Sequence, residues 1–301
     1  MNILAFGEIL WDILPSGKKC GGAPANFAYH CRQMGADARI LSRVGADPLG
    51  EELLAFCRQL NLDTRMIGVD RDLPTGTVTV KLNAGGLPVY TIHENVAWDA
   101  LEAVPEAVAW AADADVLCFG SLAARGEKNR RALAAILDAA KPDALRVLDL
   151  NLRNPFCEKE NLEFVLSRAN VLKLNDEELV RISRMFSLEG ETLEERISGI
   201  FHASALPGSE NLRMMIVTCG ADGSWLATKT ERVFTPGQAV NVVDTVGAGD
   251  AFTAAVAMGT LRGRPLPEIG EWATTLAGYV CTQAGATPAI PEGIKPPFSA
   301  Q

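Results

Sequence analysis

The chain of 301 residues carries 28 Lys plus Arg against 37 Asp plus Glu, a formal net charge of −9 at pH 7. An electric field of this sign repels phosphate backbones and anionic lipid, so we expect neither a nucleic-acid nor a membrane partner. Hydrophobic residues make up 48% and charged residues 22% of the chain, which excludes a disordered protein and predicts a large core. At roughly 150 residues per domain, the length allows two domains or one large α/β domain with an appendage.

The N-terminal stretch and the cysteines both favour a reducing compartment. Residues 1–14 are apolar, but Glu8 and Asp12 interrupt them, so we expect no signal peptide. No run reaches the roughly 18 apolar residues of a membrane span. The seven cysteines are odd in number and form no CxxC, which predicts neither a zinc site nor a disulfide framework. A cytoplasmic protein is therefore expected.

Short β-branched or Leu-rich runs alternate with helical patterns along most of the chain. Apolar residues recur at helical spacing in the segments 49–60 and 133–140. Alternation of this kind predicts a parallel sheet between layers of helices. The predicted strands are residues 3–6, 39–44, 116–119, 146–150, 171–174 and 214–218.

The region 63–95 breaks this alternation. Two strand-like runs, 75–82 and 87–93, flank the turn sequence Asn83-Ala84-Gly85-Gly86, which predicts a β-hairpin. A two-stranded hairpin is marginal by itself, and the nearest non-helical segment that can pair with it begins at Asp12. We therefore expect one α/β domain over 1–301, with a small β appendage built from insertions at about 12–20 and 63–95.

The most informative segment, 242–252, contains Gly247-Ala248-Gly249-Asp250 and precedes a helical run at 253–261. A strand-like run that leads into a Gly-x-Gly turn and a helix directs the free N–H groups of the helix start at one point, which predicts an anion site. The third glycine of a dinucleotide loop is missing, and no GxxxxGK[ST] P-loop occurs. Asp250 beside such a site can accept a proton from a hydroxyl that attacks a phosphate. The alternative is an acid favoured only by the helix dipole.

A second glycine motif, Gly21-Gly22-Ala23-Pro24-Ala25-Asn26, precedes a helical pattern. The paired glycines permit close approach of the backbone to a ligand, and Asn26 offers the donor and acceptor that suit a sugar hydroxyl. A turn followed by an ordinary helix start explains the same residues.

Polar segments close three predicted strands, at the edge where ligands bind in open α/β sheets. Arg153 and Lys173 are candidates for contact with a phosphate. Asn175 and Glu178 are candidates for organising the water shell of a Mg²⁺ ion that a nucleotide holds. The alternative for this last pair is a helix capping box.

Together these motifs resemble those of the ribokinase-like (PfkB-type) carbohydrate kinases. Segment 21–26 resembles the N-terminal signature of the family, 149–153 its D-x-N-x-R segment, 175–178 its N-x-x-E motif and 244–250 its DTxGAGD signature. They occur in the family's order along essentially the whole chain. The resemblance implies an α/β, ribokinase-like fold: a central, mostly parallel sheet flanked by helices, with the β appendage as a lid over the sugar and as a homodimer interface.

The resemblance also implies ATP-dependent, Mg²⁺-dependent phosphorylation of a sugar hydroxyl. Asp250 would be the base, and the N–H groups of Gly247, Ala248 and Gly249 would form the anion hole. Structural pairing is the alternative for the carboxylate of Asp244. The other implied roles are sugar contacts by Asp12, Gly22 and Asn26, a contact of Arg153 with the transferring phosphate or the sugar, nucleotide contacts by Lys173, Asn175, Thr218, Gly220, Gly223, Ala277 and Cys281, a water-mediated Mg²⁺ contact by Glu178, and a K⁺ contact by Asp244.

Within the family, Gly7-Glu8-Ile9-Leu10-Trp11-Asp12 and segment 21–26 resemble fructokinases, so the expected reaction converts fructose to fructose 6-phosphate. Fructokinases commonly carry an aromatic-Arg pair before an Ala-Asp, whereas segment 92–99 contains no arginine. The alternatives are a kinase of the same fold for another sugar, a sugar acid or a nucleoside, and a non-catalytic sugar- or nucleotide-binding regulator. A regulator has no need for the carboxylate of Asp250, and the missing GxGxxG disfavours a dehydrogenase.

Overall fold

The computed structural model describes residues 1–15, 17–82 and 88–295, and the strands within these ranges form two sheets. The predicted turn at Asn83-Ala84-Gly85-Gly86 lies outside the described residues. The strands are β1 Asn2–Phe6, β2 Leu10–Leu14, β3 Gly17–Gly21, β4 Asp37–Gly45, β5 Ile67–Asp70, β6 Thr77–Leu82, β7 Pro88–Ile92, β8 Val116–Gly120, β9 Leu145–Asp149, β10 Val171–Asn175, β11 Met214–Thr218, β12 Gly223–Ala227 and β13 Arg232–Pro236. The α-helices are α1 Ala23–Gln33, α2 Pro48–Gln59, α3 Pro105–Asp113, α4 Glu127–Ala139, α5 Lys159–Arg168, α6 Asp176–Met185, α7 Leu193–Ile200, α8 Ala248–Leu261 and α9 Leu266–Cys281.

The larger sheet has the strand order β13-β12-β11-β10-β9-β8-β1-β4-β5. Every neighbouring pair from β11 to β5 is parallel, and β12 and β13 add an antiparallel edge. All six strands predicted from the alternating pattern are present in this sheet. The two predicted helical segments, 49–60 and 133–140, correspond to α2 and to the end of α4. The predicted fold class, a mostly parallel sheet flanked by helices, is confirmed.

Strand β1 shows why the sheet is covered on both faces. Its side chains alternate between two buried clusters, because successive residues of a strand point to opposite faces. Ile3 and Ala5 pack into the cluster formed with α1, α8 and α9, whereas Leu4 and Phe6 pack into the one formed with α3 to α7. A strand apolar on both faces is typical of a parallel sheet between helices.

The smaller sheet has the strand order β3-β2-β6-β7. The two runs predicted as a hairpin are the antiparallel pair β6 and β7, and the segment near Asp12 supplies β2 and β3, with β2 parallel to β6. The boundary predicted at residue 63 is wrong, because β5 pairs with β4 in the larger sheet and a bridge from Arg39 to Asp63 precedes it. A strand of four residues, of which Gly68 and Val69 are exposed, has too little apolar pattern to distinguish it from the insertion.

The strand-like run at 242–246 is the second expectation that the structure corrects. Val242 and Val243 are exposed, and the segment is irregular. The N–H groups of Val243 and Asp244 donate to the carbonyl of Cys281, at 2.8 and 3.2 Å. The end of a helix, rather than a neighbouring strand, therefore holds this backbone.

Two surface features bear on possible partners. None of the helices in the described ranges is long and apolar enough to cross a membrane. Val89 and Tyr90 are exposed on β7, the edge strand of the smaller sheet. A homodimer through this sheet stays a prediction.

Candidate active site

The carboxyl ends of the parallel strands bring the predicted polar segments together. The strand registers place Asp149 beside Lys173 and Asn175 beside Thr218. Loops at this edge of a parallel α/β sheet form the usual ligand crevice. The structure therefore gathers at one edge several of the residues that sequence reasoning had taken from separate motifs.

Asp250 and Asn26 join the two glycine motifs. Asp250 lies in the first turn of α8, and the amide nitrogen of Asn26 in α1 donates a hydrogen bond of 2.8 Å to its Oδ2. Asn26 is buried. The bond spans 224 positions of sequence and holds the carboxylate in one orientation.

The surroundings of Asp250 favour proton transfer near neutral pH. Burial and the negative charge of Asp149 raise the pKa of Asp250 to about 6, against the lowering effect of the Asn26 hydrogen bond and the positive charges of Lys173 and Arg153. A pKa near the working pH is what a general base requires. The helix dipole alone stabilises a carboxylate and would lower its pKa rather than raise it.

The N-terminus of α8 is open. Its N-cap, Gly247, has φ +82°, and a Cβ there would lie 2.6 Å from the Cα of Ala286, so only glycine fits. No side chain caps this helix, and its first N–H groups lack partners inside the helix; that of Ala248 donates to the carbonyl of Thr245, just before the helix, at 3.3 Å. Lys173 lies beneath the turn: a Cβ built on Gly249 would be 3.3 Å from its Nζ. Lys173 is buried and paired with Asp149 at 2.9 Å. The turn at residues 247–249 and the ammonium of Lys173 together form a site that suits an anion, which we call the anion cradle.

The N-terminus of α6 is closed by a capping box. Asn175 Oδ1 accepts the N–H of Glu178 at 2.7 Å, and Glu178 Oε2 accepts the N–H of Asn175 at 2.9 Å. Glu178 Oε1 also accepts the N–H of Leu152 at 2.7 Å. The capping alternative is therefore present in the structure. Each carboxylate oxygen keeps a lone pair for a water, so the residue fits a water-mediated metal contact, and that role stays a prediction.

The other two residues predicted to contact the sugar are Asp12, which lies on β2, and Gly22, which is the N-cap of α1. Burial raises the pKa of Asp12, and the nearby charges of Arg153 and Lys19 oppose that rise. A Cβ on Gly22, which has φ +116°, would lie 2.4 Å from the carbonyl oxygen of Glu8. The glycine therefore allows α1 to begin directly against the end of β1.

Asp244 is paired, as the structural alternative expected. Lys19 in β3 lies 2.8 Å from its Oδ2, while the N–H groups of Val246 and Gly285 donate to its two oxygens at 3.1 Å each. Burial opposes them, but these hydrogen bonds together hold the pKa of Asp244 below its usual value. Sequence reasoning missed Lys19, because nothing in the pattern of this strand of the smaller sheet indicates a partner 225 positions away.

The other residues predicted to contact nucleotide lie on β11, on the turn after it, on β12 and on α9. Thr218 ends β11, Gly220 begins a short 3-10 helix, and Gly223 begins β12. Ala277 and Cys281 lie on α9, which packs against β12 and β13. Their contacts with a nucleotide stay predictions.

Glu8 is a buried acid that sequence reasoning noted only as an interruption of an apolar stretch. It is 5% exposed, its Oε2 has no partner among the described residues, and it lines a small cavity with Asp149 and Asn151. Burial raises the pKa of Glu8 to about 7, and the charge of Asp250 adds to the rise. The only sequence signal for it was its place in segment 7–12.

Comparisons with known proteins agree with this geometry. A family model described as pfkB family carbohydrate kinase matches residues 16–293. The fructokinase of Klebsiella pneumoniae is 30% identical over 308 residues, which cover 96% of each chain. A sugar kinase of Pyrococcus horikoshii is 28% identical over 307 residues, 94% of this chain and 91% of the relative.

Solved structures share the fold. The crystal structure of the Pyrococcus horikoshii sugar kinase in complex with ATP has a TM-score of 0.80 at 27% identity and covers 95% of this chain and 94% of its own. A ribokinase structure from E. coli has a TM-score of 0.82 at 21% identity, with 96% and 95% covered, and shows the fold alone. The protein is thus a sugar kinase by class. It belongs to the pfkB family of carbohydrate kinases, as its motifs predicted.

Proposed function

We propose that this sugar kinase transfers the γ-phosphoryl group of ATP to the terminal primary hydroxyl of fructose, which yields fructose 6-phosphate and ADP. The likeness to the Klebsiella pneumoniae fructokinase and the fructokinase-like segment 7–12 support fructose as the acceptor. The ATP complex of the Pyrococcus horikoshii sugar kinase supports ATP as the donor.

The observation that carries the proposal is the partly buried Asp250, held by Asn26 at an uncapped helix start. In the reaction, the oxygen of the sugar hydroxyl forms a bond to the γ-phosphorus of ATP, while Asp250 accepts the proton of that hydroxyl. The bond from that phosphorus to the oxygen bridging to the β-phosphate breaks, and ADP leaves with that oxygen. Asn26 keeps the carboxylate oriented, so the proton has one acceptor in a fixed place.

The phosphoryl group that is transferred is negatively charged. The anion cradle at the N-terminus of α8 directs the positive ends of its N–H dipoles at that group. The N–H groups of Gly247, Ala248 and Gly249 would hold its oxygens, with the ammonium of Lys173 beneath them. Arg153 supplies a further positive charge near Asp250. Groups fixed in advance in this way stabilise the transition state without reorganising.

ATP in such kinases carries Mg²⁺, which neutralises phosphate charge when bound. Glu178 fits a water-mediated contact with this Mg²⁺, because each of its carboxylate oxygens accepts one backbone N–H and keeps a lone pair for a water. For K⁺ the expected residue is Asp244, whose carboxylate already holds the ammonium of Lys19.

We further propose that the chain acts as one unit, with the smaller sheet as a lid over the sugar. Asp12 lies on β2 of that sheet, and Lys19 on β3 reaches the loop before α8. Covering the acceptor site excludes water that would otherwise compete for the phosphoryl group.

The test is an assay of ADP release over a panel of sugars, sugar acids and nucleosides, with the product identified by NMR. Fructose should have the highest kcat/KM, and phosphate should be found on its terminal primary hydroxyl. A clearly higher kcat/KM for ribose, a sugar acid or a nucleoside would replace fructose with that acceptor. Tight sugar binding without any ADP release would favour the non-catalytic regulator instead.

A further inference from the structure

Arg125 lies in the short 3-10 helix after β8 and forms a dense buried cluster. Its side chain is 7% exposed, and its guanidinium carbon lies over two rings, 4.1 Å from the centre of Trp98 and 4.5 Å from that of Phe156. Nε and Nη2 donate to the two carboxylate oxygens of Asp99 at 2.8 and 2.7 Å. Nη2 also donates to the carbonyl of His93 at 2.8 Å.

The bond to His93 ties Arg125 to the base of the smaller sheet. His93 directly follows Ile92, the last residue of β7, and Ile92 pairs with Val78, which pairs with Asp12. Strands in a sheet lie roughly 4.8 Å apart, so Asp12 is two strand spacings, or about 10 Å, from the end of the sheet that Arg125 holds. The position of that end therefore sets the position of Asp12.

The ring of Phe156 ties Arg125 to a second segment of the site. Phe156 belongs to the loop after β9, and its N–H donates to the carbonyl of Arg153 at 2.8 Å. Arg153 in turn lies close enough to Asp12 for its positive charge to oppose the rise that burial causes in the pKa of that carboxyl. One buried side chain thus contacts both the sheet that carries Asp12 and the loop that carries Arg153.

We propose that Arg125 is a positioning residue for the acceptor sugar, which holds the base of the smaller sheet against the Arg153 loop so that Asp12 and Arg153 face one ligand. The inference rests on the proposed function only in that the acceptor binds between these two residues. Arg125 itself touches neither Asp250 nor the anion cradle among the contacts of the described residues.

The guanidinium is the group that such a junction requires. It is planar, so both faces can stack on rings while its edge binds a carboxylate through two parallel bonds and a carbonyl through another. A lysine ammonium at this place could keep the charge but not the contacts with both rings together with the paired bonds to Asp99. Replacement of Arg125 should therefore loosen the sheet relative to the loop without altering the anion cradle.

The experiment compares Arg125→Gln with Arg43→Gln, a matched control. Arg43 also bridges carboxylates and a carbonyl, with Asp70 at 3.0 Å, Glu102 at 3.1 Å and the carbonyl of Ala100 at 2.9 Å, yet it contacts neither the smaller sheet nor the loop after β9 in the described structure. Each variant is assayed with the best acceptor found for the wild type, and its Tm is measured. Arg125→Lys serves as a second variant if the glutamine variant does not fold.

Arg125→Gln should raise KM for the acceptor about tenfold and change KM for ATP less than about twofold, because misplacing ligand groups by even ~1 Å has large effects. Arg43→Gln should lower Tm comparably and leave both KM values near those of the wild type. An acceptor KM within about twofold of wild type for the Arg125 variant, or an equal rise for the Arg43 variant, would overturn the inference alone. A wild-type protein that phosphorylates no acceptor would overturn the proposed function and this inference with it.

Discussion

Two helices, α6 and α8, begin at the same edge of the larger sheet, and each carries a carboxylate at its third position. In α6 the carboxylate is Glu178, which turns back onto the N–H of Asn175 and is itself bonded by the Leu152 N–H. In α8 it is Asp250, which faces Asn26. The difference follows from the N-cap, because Asn175 offers a side-chain acceptor and Gly247 offers none.

The comparison shows how one local pattern serves stability in one place and chemistry in another. A capping box satisfies the free N–H groups of its helix and closes the helix start to a ligand. A glycine N-cap leaves those N–H groups for an anion, and it costs only about a few tenths of a kcal/mol of stability compared with a side-chain cap. The carboxylate at the open start is then free to act on a ligand, and its raised pKa suits it to accept a proton.

The largest effect should come from Asp250→Asn, which we expect to lower kcat by about 10² to 10⁴ while leaving KM for ATP nearly unchanged. Asparagine has nearly the same shape and keeps the N–H groups of the helix start in place. Steady-state kinetics and ATP binding by calorimetry provide the measurement.

The stability of this variant supplies its control. Burial places the folded-state pKa of Asp250 at about 6, above its ordinary value of 3.8, so the folded protein loses stability as pH rises between these values. A neutral asparagine avoids this loss, and the variant should be at least as stable as the wild type at pH 8. A folded variant with more than about a tenth of wild-type kcat would show that Asp250 is not the general base and interacts only with the helix dipole.

The next effect is the pH dependence of kcat/KM for the acceptor at saturating Mg·ATP. Asp250 must be ionised to accept a proton, so kcat/KM should fall about tenfold per pH unit below a pKa of about 6. Asn26→Ala removes a hydrogen bond that lowers this pKa, so its acidic limb should move to higher pH. If the acidic limb of the kcat/KM profile stays at the same pH in the Asn26 variant, a group other than Asp250 causes it.

Much of the fold was accessible from the sequence, because a strand apolar on both faces is an unusual pattern. The runs at 3–6, 116–119 and 171–174 alternate with helical segments, and this pattern leaves few sheet arrangements. The pattern failed where tertiary contacts decide the structure. β5 is four residues long and two of them are exposed, and the segment before α8 is held by the carbonyl of Cys281 rather than by a strand.

The site divides in the same way. Asp250, Asn26 and the capping pair of Asn175 with Glu178 were predicted from local motifs, because their spacing fixes what each can do within one helix start. Their mutual contacts were not predictable. The bonds from Lys19 to Asp244 and from Arg125 to the carbonyl of His93 join distant segments, and no periodicity or motif encodes such a pair.

A smaller effect on activity is expected from Glu178→Ala, which tests the closed helix start. The variant leaves the N–H groups of Asn175 and Leu152 without their acceptor, so the free energy of unfolding should fall by about 1 to 3 kcal/mol in urea denaturation. Turnover should fall less than in Asp250→Asn, and half-saturation should need more Mg²⁺, because the metal contact passes through water. A variant as inactive as Asp250→Asn with unchanged unfolding energy would contradict the comparison between the two helices.

The smallest effect concerns Asp244, three residues before the open helix start. K⁺ should raise the rate of the wild type modestly compared with tetramethylammonium at the same ionic strength, because a cation at Asp244 orders the loop that leads into the anion cradle. Lys19 competes for that carboxylate, so Lys19→Met should enlarge the activation by K⁺. Lys18→Met is the matched control, since Lys18 pairs with Glu52 and lies over the ring of Trp11 instead.

Equal rates in K⁺ and tetramethylammonium for all three proteins would leave Asp244 a purely structural partner of Lys19. Enlarged activation in the Lys18 variant alone would place the cation elsewhere on the smaller sheet.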